Sequence, residues 1–143
     1  MSKSLKLDDQ LCFSVYAASH AFNRFYKPLL EPLGLTYPQY LVLLTLWEQE
    51  GLPLKAIGDR LGLDSGTLTP LLRRMENAGL VTRERDREDE RLVRVHLTAK
   101  GRRLHGKAEA FPERIGKAAG CSAAELTALR KLLFSLRDDL DAA

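Results

Sequence analysis

Apolar residues recur at helical spacing through most of this chain and switch to strict alternation in one short segment. The series Leu11, Val15, Ala18, Phe22, Phe25, Leu29 advances in steps of four and three, which predicts a helix whose single apolar seam wants a partner. Asp8 is the expected N-cap of that helix, Pro28 is expected to kink or end it, and Pro32-Leu33-Gly34 to turn the chain. Thr36-Tyr37-Pro38-Gln39 has the form of a capping box with proline in the permitted first turn. The helix it opens, Tyr37 to Glu48, is apolar on several sides and is expected at the centre of the core.

The stretch from Pro53 to Leu97 organises the rest. Leu54 to Leu61 reads as a short helix closed by Gly62. Asp64-Ser65-Gly66-Thr67 opens a second helix, whose Leu68, Leu71, Leu72 and Met75 follow the i, i+3, i+4, i+7 rule, and Gly79 ends it. Its other face carries Ser65, Thr67, Thr69, Arg73 and Arg74, hydroxyls and guanidiniums suited to the edges and phosphates of a major groove. Pro70 sits past the first turn if the helix begins at Asp64, and within it if the start is nearer Thr67, so a tightened or a displaced N-terminus is expected. After Gly79 the period becomes two: Val81 to Glu84 is strand-like, and Val93, Val95 and Leu97 alternate with Arg94 and His96. The intervening Arg85 to Arg91 is too charged to bury. Alone it reads equally as a solvated loop; after a helix-turn-helix it reads as a wing that meets DNA.

Beyond the wing, Thr98 is expected to cap a long helix with Leu104, Ala108, Phe111 and Ile115 on one face and a kink at Pro112. Gly120-Cys121 makes a break, and Ser122 to Glu125 is a second capping box leading into Leu126, Leu129, Leu133, Leu136 and Leu140. The expected fold is therefore mainly α with a small β-wing: a winged helix-turn-helix over 36–97, with terminal helices at 8–33 and 98–143 forming a dimerisation region, in one domain of 143 residues. A two-fold dimer would set two recognition helices in successive major grooves of an inverted repeat.

The formal charge is only +3, from 22 basic and 19 acidic side chains, so DNA affinity must come from local clustering rather than a polybasic tail. No apolar run approaches a membrane span, and the N-terminus lacks an apolar signal region, so a cytoplasmic protein is expected. Cys12 and Cys121 fall in no CxxC and near no ligand-spaced histidine, and His20, His96 and His105 are scattered; neither a metal nor a cofactor is expected. The cysteines read either as inert buried residues or as redox-active ones. Cys12 lies about one turn into the first helix, where the positive end of the helix dipole favours an anion, and a phenol donating to sulfur would do the same.

Leu63 to Leu72, Met75-Glu76, Gly79-Leu80-Val81 and Asp86-Arg87-Glu88-Asp89-Glu90-Arg91 resemble the MarR family of winged-helix bacterial regulators across nearly the whole chain. In that family the arginine matching Arg91, beside the aspartate matching Asp89, reaches into the minor groove, and the terminal helices interlock as a homodimer. Gln10 to Phe13, Tyr26 to Leu29 and Tyr37 to Tyr40 are similar to the organic-hydroperoxide-sensing OhrR branch. The resemblance implies a repressor, not an enzyme, with Cys12 as peroxidatic sensor, Tyr26 and Tyr37 as donors to its thiolate, and an organic hydroperoxide as inducer. It also implies that Cys121 matches, more loosely, the second cysteine of the two-cysteine members. The competing expectation is a repressor relieved by a small phenolic or drug-like ligand, with Cys12 structural.

Overall fold

In the computed structural model, which describes residues 4–143, the chain is mostly helical with one small antiparallel sheet. It forms two compact units, one ending at Lys107 and one from Ala108 to Ala143. No helix among the described residues is long and apolar enough to cross a membrane.

The first unit opens with a 3-10 turn, Leu7–Asp9, followed by α1, Leu11–Leu30. Asp8 is thus not the N-cap. Gln10 holds that position without a side-chain cap bond, because its amide nitrogen instead donates back to the carbonyls of Ser4 (3.1 Å) and Lys6 (3.0 Å). Nor does Pro28 end the helix, which runs on to Leu30; the turn comes at Gly34, in the left-handed region with φ of 69°. Helix α2, Tyr37–Glu48, begins on the expected capping box, with Thr36 and Gln39 bonded reciprocally, and it buries Tyr40, Val42, Leu43 and Leu46. A helix apolar on several sides has to be surrounded, and α1, α3 and α4 all pack against it.

A two-residue strand β1, Leu52–Pro53, leads into α3, Leu54–Leu61, and the turn to α4, Ser65–Asn77. Strands β2, Val81–Arg85, and β3, Val93–Leu97, form the hairpin, paired from Val81↔Leu97 to Arg85↔Val93. The sheet order is β1-β3-β2, with β1 on the open edge of β3. Two residues without alternation leave no periodic signal, so this third strand had no mark in the sequence.

Thr98 caps α5, Ala99–Ala108, accepting from the Gly101 N–H at 3.1 Å. The expected single long helix is two. The chain breaks at Glu109–Ala110 and restarts as α6, Phe111–Ala118, with Pro112 in its first turn, where a missing N–H costs no hydrogen bond. In the second unit α7, Ala123–Ala142, starts on the Ser122–Glu125 capping box.

Candidate functional site

Two groups of residues carry chemistry. The first is the exposed side of α4 and the hairpin behind it. Leu68, Leu71, Leu72 and Met75 are buried, which turns Ser65, Thr67, Arg73 and Arg74 outward, with Thr69 half-buried at the margin. The Asp64 carboxylate accepts from the Thr67 N–H at 2.8 Å, and the same N–H reaches the Asp64 carbonyl at 3.2 Å. The helix start is therefore not displaced toward Thr67; its first turn is drawn in, and Pro70 stays inside the helix. Pro70 offers no N–H to the Gly66 carbonyl, a cost that exposure of Gly66 to water reduces. The angle between α3 and α4 depends on Gly58, where an added Cβ would meet the Leu63 carbonyl oxygen at 2.7 Å; nothing in the sequence pattern marked it.

The hairpin is braced to α4 by Arg83, which donates through Nε and Nη2 to Glu76 at 3.3 and 3.1 Å. Its loop is organised around Asp86, a residue to which sequence reasoning gave no role. One carboxylate oxygen accepts from Arg94 Nε at 2.8 Å, and the other from the N–H groups of Asp89 (2.9 Å) and Glu88 (3.3 Å). Asp89 in turn accepts from the Arg91 N–H and Nε, both at 3.1 Å, and from Nη2 at 3.3 Å. The Arg94 guanidinium holds the Asp86 carboxyl below the usual range, and Arg91 does the same for Asp89, so both stay ionised. The Arg91 side chain is 90% exposed beyond this pair. Among the described residues, Arg73, Arg74 and Arg87 have no acidic partner, which leaves their charge for a phosphate backbone.

The second group is the thiol and the tyrosines. Cys12 is the second residue of α1, nearer the positive end of the helix than the sequence implied, and it is exposed. Around it the seam is uncovered in the single chain: Leu11 is 63%, Val15 40% and Phe22 43% exposed. Tyr26 and Tyr37 do meet, with ring centroids 5.3 Å apart, and Tyr40 joins them at 5.5 Å from Tyr26 and 6.3 Å from Tyr37. Burial, the neighbouring Tyr40 and Tyr37, and the hydrogen bond that Tyr26 donates to Tyr40 push the Tyr26 phenol up to about 12. Burial raises Tyr37 and Tyr40 as well, so all three resist ionisation as the pH becomes alkaline. Tyr40 was legible only as a Tyr-x-x-Tyr spacing on α2.

Within a single chain the thiol and the tyrosines stand far apart. Tyr26 follows Cys12 by fourteen positions on the same continuous helix. At 1.5 Å per residue that separates them by ~21 Å, farther than two side chains can span. Cys121 is exposed in the second unit, between Gly120 (φ 67°) and the Ser122 cap, with its thiol 3.4 Å from the Ala119 carbonyl.

A helix-turn-helix whose outer face bears hydroxyls and unpaired guanidiniums, followed at once by a braced hairpin with an arginine at its tip, is a winged-helix DNA-binding unit. A family model described as transcriptional regulator SarA/Rot matches residues 24–108. The chain is 59% identical over 95% of its length, and 70% of the relative's, to the HTH-type transcriptional regulator TtmR of Methylorubrum extorquens (strain PA1). It is 49% identical to the organic hydroperoxide resistance transcriptional regulator of Bacillus subtilis (strain 168), covering 95% of this chain and 92% of that one. Among solved structures, reduced AbfR bound to DNA superposes with a TM-score of 0.76 at 38% identity, over 95% of this chain and 93% of the other; AbfR comes from Staphylococcus epidermidis. Overoxidized AbfR bound to DNA gives 0.74 at 41% identity (92% and 93% covered), and disulfide-formed AbfR 0.65 at 41% (91% and 91%). The chain belongs to the winged-helix regulators of the SarA/Rot and MarR type. It is a transcriptional regulator of the MarR/OhrR kind, and its relatives carry regulatory rather than enzymatic names.

Proposed function

We propose that this protein is a peroxide-responsive repressor that binds an inverted-repeat operator as a reduced homodimer and lets go when Cys12 is oxidised by an organic hydroperoxide. The observation that carries this reading is the 49% identity, across 95% of the chain, to a regulator named for organic hydroperoxide resistance. The uncovered apolar seam of α1, with Cys12 in its first turn, supports it. A second copy covering that seam buries Leu11, Val15 and Phe22 and brings its own tyrosines to the thiol, which the ~21 Å along one helix forbids within a chain. On DNA, Ser65, Thr67 and Thr69 face base edges, Arg73 and Arg74 the phosphates, and Arg91, oriented by Asp89, the minor groove.

In the sensing step the Cys12 thiolate attacks one peroxide oxygen. The O–O bond breaks, the alkoxide leaves as the alcohol after taking a proton, and the sulfur becomes a sulfenic acid. The phenol of Tyr37 from the partner, and that of Tyr26 once its O–H turns from Tyr40 to the sulfur, donate to the sulfur anion beforehand. The apolar seam around Cys12 favours alkyl or lipid hydroperoxides over hydrogen peroxide. A second thiol then condenses with the sulfenic acid, forming S–S and releasing water. That second step moves the backbone: overoxidized AbfR is described as bound to DNA, while disulfide-formed AbfR superposes less well on this chain than the reduced, DNA-bound form does. Cys121 of the opposite subunit is the proposed resolving thiol, and bridging requires its Cα within ~7 Å of that of Cys12.

A gel-shift titration tests both parts. Wild-type complex should be released by cumene hydroperoxide and restored by dithiothreitol, whereas Cys12→Ser should bind and not respond. Release of the Cys12→Ser variant by peroxide would remove Cys12 as sensor, and release by a phenolic ligand without oxidant would favour the ligand-relieved repressor. On a non-reducing denaturing gel, oxidised wild type should run as a covalent dimer and Cys121→Ser should not; a monomer band from fully oxidised wild type would exclude the intersubunit bridge.

A further inference from the structure

Arg91 carries the wing's contact with DNA in the reading above, yet its guanidinium stands almost free of the protein, and only the Asp89 carboxylate aims it. What holds Asp89 is the Asp86 carboxylate, through the Asp89 N–H, and what holds Asp86 is Arg94 Nε. Arg94 has a second bond. Its Nη1 donates at 3.0 Å to the carbonyl of Gly51, three residues past the end of α2. Gly51 is itself pinned, since its N–H donates to the Val95 carbonyl at 3.0 Å, and its φ of 79° belongs to glycine. An added Cβ there would also press on His96 Cε1 at 3.2 Å. A continuous run of hydrogen bonds therefore leads from the end of α2 to the arginine at the wing: Gly51, Arg94, Asp86, Asp89, Arg91.

We propose that Asp86 and Arg94 are positioning residues for Arg91, tying the wing to the end of α2, the helix that bears Tyr37 and Tyr40, so that displacement of α2 re-aims the minor-groove arginine. This rests on the reading of Arg91 as a DNA contact. Arginine suits the place because its planar fork bonds a carboxylate with Nε and a carbonyl with Nη1 at once; a lysine ammonium in the same space reaches one or the other. Aspartate suits position 86 because its short side chain bonds the backbone two and three residues on, folding the loop into a turn while its other oxygen faces Arg94. Asp86 is also an anion at a DNA-facing loop, so on charge alone its removal would tighten binding. Loss of binding on its removal speaks for positioning.

The test uses the full-length reduced protein and a duplex selected by the wild type from a random-sequence pool, with Arg94→Lys, Asp86→Asn, Arg91→Ala and the double variant Arg91→Ala/Arg94→Lys. Trp47 fluorescence and thermal melting establish that each folds. Arg94→Lys, although it keeps the charge, should weaken binding about tenfold and remove hydroxyl-radical protection of the flanking minor groove, while base protection at the major-groove centre of each half-site persists. Asp86→Asn should act in the same direction despite losing a negative charge. In the Arg91→Ala background Arg94→Lys should cost nothing further, because its effect passes through Arg91. Wild-type affinity and intact flanking protection in both single variants would overturn the proposal, as would an equal cost of Arg94→Lys with and without Arg91. Unchanged binding by Arg91→Ala would instead remove the wing contact itself, and the positioning role with it; Arg73→Ala then reports separately whether α4 still reads DNA.

Discussion

The ~21 Å between Cys12 and Tyr26 makes a sharp prediction about which chain each belongs to in the working site. A hydrogen bond to sulfur requires approach to roughly 3–4 Å, and Tyr37 lies against Tyr26, so neither phenol reaches the thiol of its own chain. Two differently tagged mixed dimers distinguish the arrangements, and each contains a single Cys12. In the first, a Cys12→Ser chain pairs with a Tyr26→Phe/Tyr37→Phe chain, so the remaining thiol faces native tyrosines across the interface. In the second, a wild-type chain pairs with one carrying all three substitutions, so the remaining thiol faces phenylalanines. Each charge-assisted hydrogen bond is worth ~1.5–3 kcal/mol, so loss of one or both should slow sulfenic acid formation roughly tenfold or more. The first dimer should therefore be oxidised by cumene hydroperoxide at the wild-type rate and the second at the slowed rate, followed by dimedone trapping and mass spectrometry. The reverse order would place sulfur and phenols in one chain and refute the reasoning; equal rates would remove the tyrosines from the thiol altogether.

Arg91→Ala should weaken operator binding and lower the slope of log affinity against log salt by about one, because the lost contact is cationic; an unchanged slope in a salt titration would exclude it. Gly101→Ala should destabilise the fold by about 1–3 kcal/mol in urea unfolding, since its Cβ would press directly on the Leu80 carbonyl oxygen, backbone that cannot step aside. The Trp47 indole, which donates to the Gly101 carbonyl at 2.9 Å, reports that shift by fluorescence. The tyrosine cluster should make the protein sensitive to alkali. Below pH 10 the Tyr26 phenol is protonated in both states and the stability is fully present; as pH rises toward about 12 the unfolded chain ionises first and stability falls. Urea melts at about pH 9 and about pH 11 should show this loss in the wild type and a smaller one in Tyr26→Phe.

Local patterns were enough wherever the controlling interactions are local. The capping boxes at Thr36 and Ser122, the one-sided apolar face of α4 and the alternation of β3 each depend on residues within seven positions of one another, and each stands where the sequence placed it. The outward set on α4 followed directly, because burying Leu68, Leu71, Leu72 and Met75 leaves Ser65, Thr67, Arg73 and Arg74 only one direction. Where two local rules competed, periodicity alone did not decide between them. Gln10 displaced Asp8 as cap once its side chain turned back to the preceding carbonyls, and the break at Glu109–Ala110 moved Pro112 from a helix interior to a first turn. The features hidden from the sequence are long-range: Arg94 reaching the Gly51 carbonyl 43 positions away, Trp47 bonded to Gly101 at 54, and β1 adding two residues to β3. Periodicity reports which way a side chain points, not which distant backbone atom it meets. For that reason the ~21 Å between Cys12 and Tyr26 follows from their fourteen-residue spacing on one continuous helix, whereas the bonds from Gly51 through Arg94 and Asp86 that aim Arg91 came only from the tertiary structure.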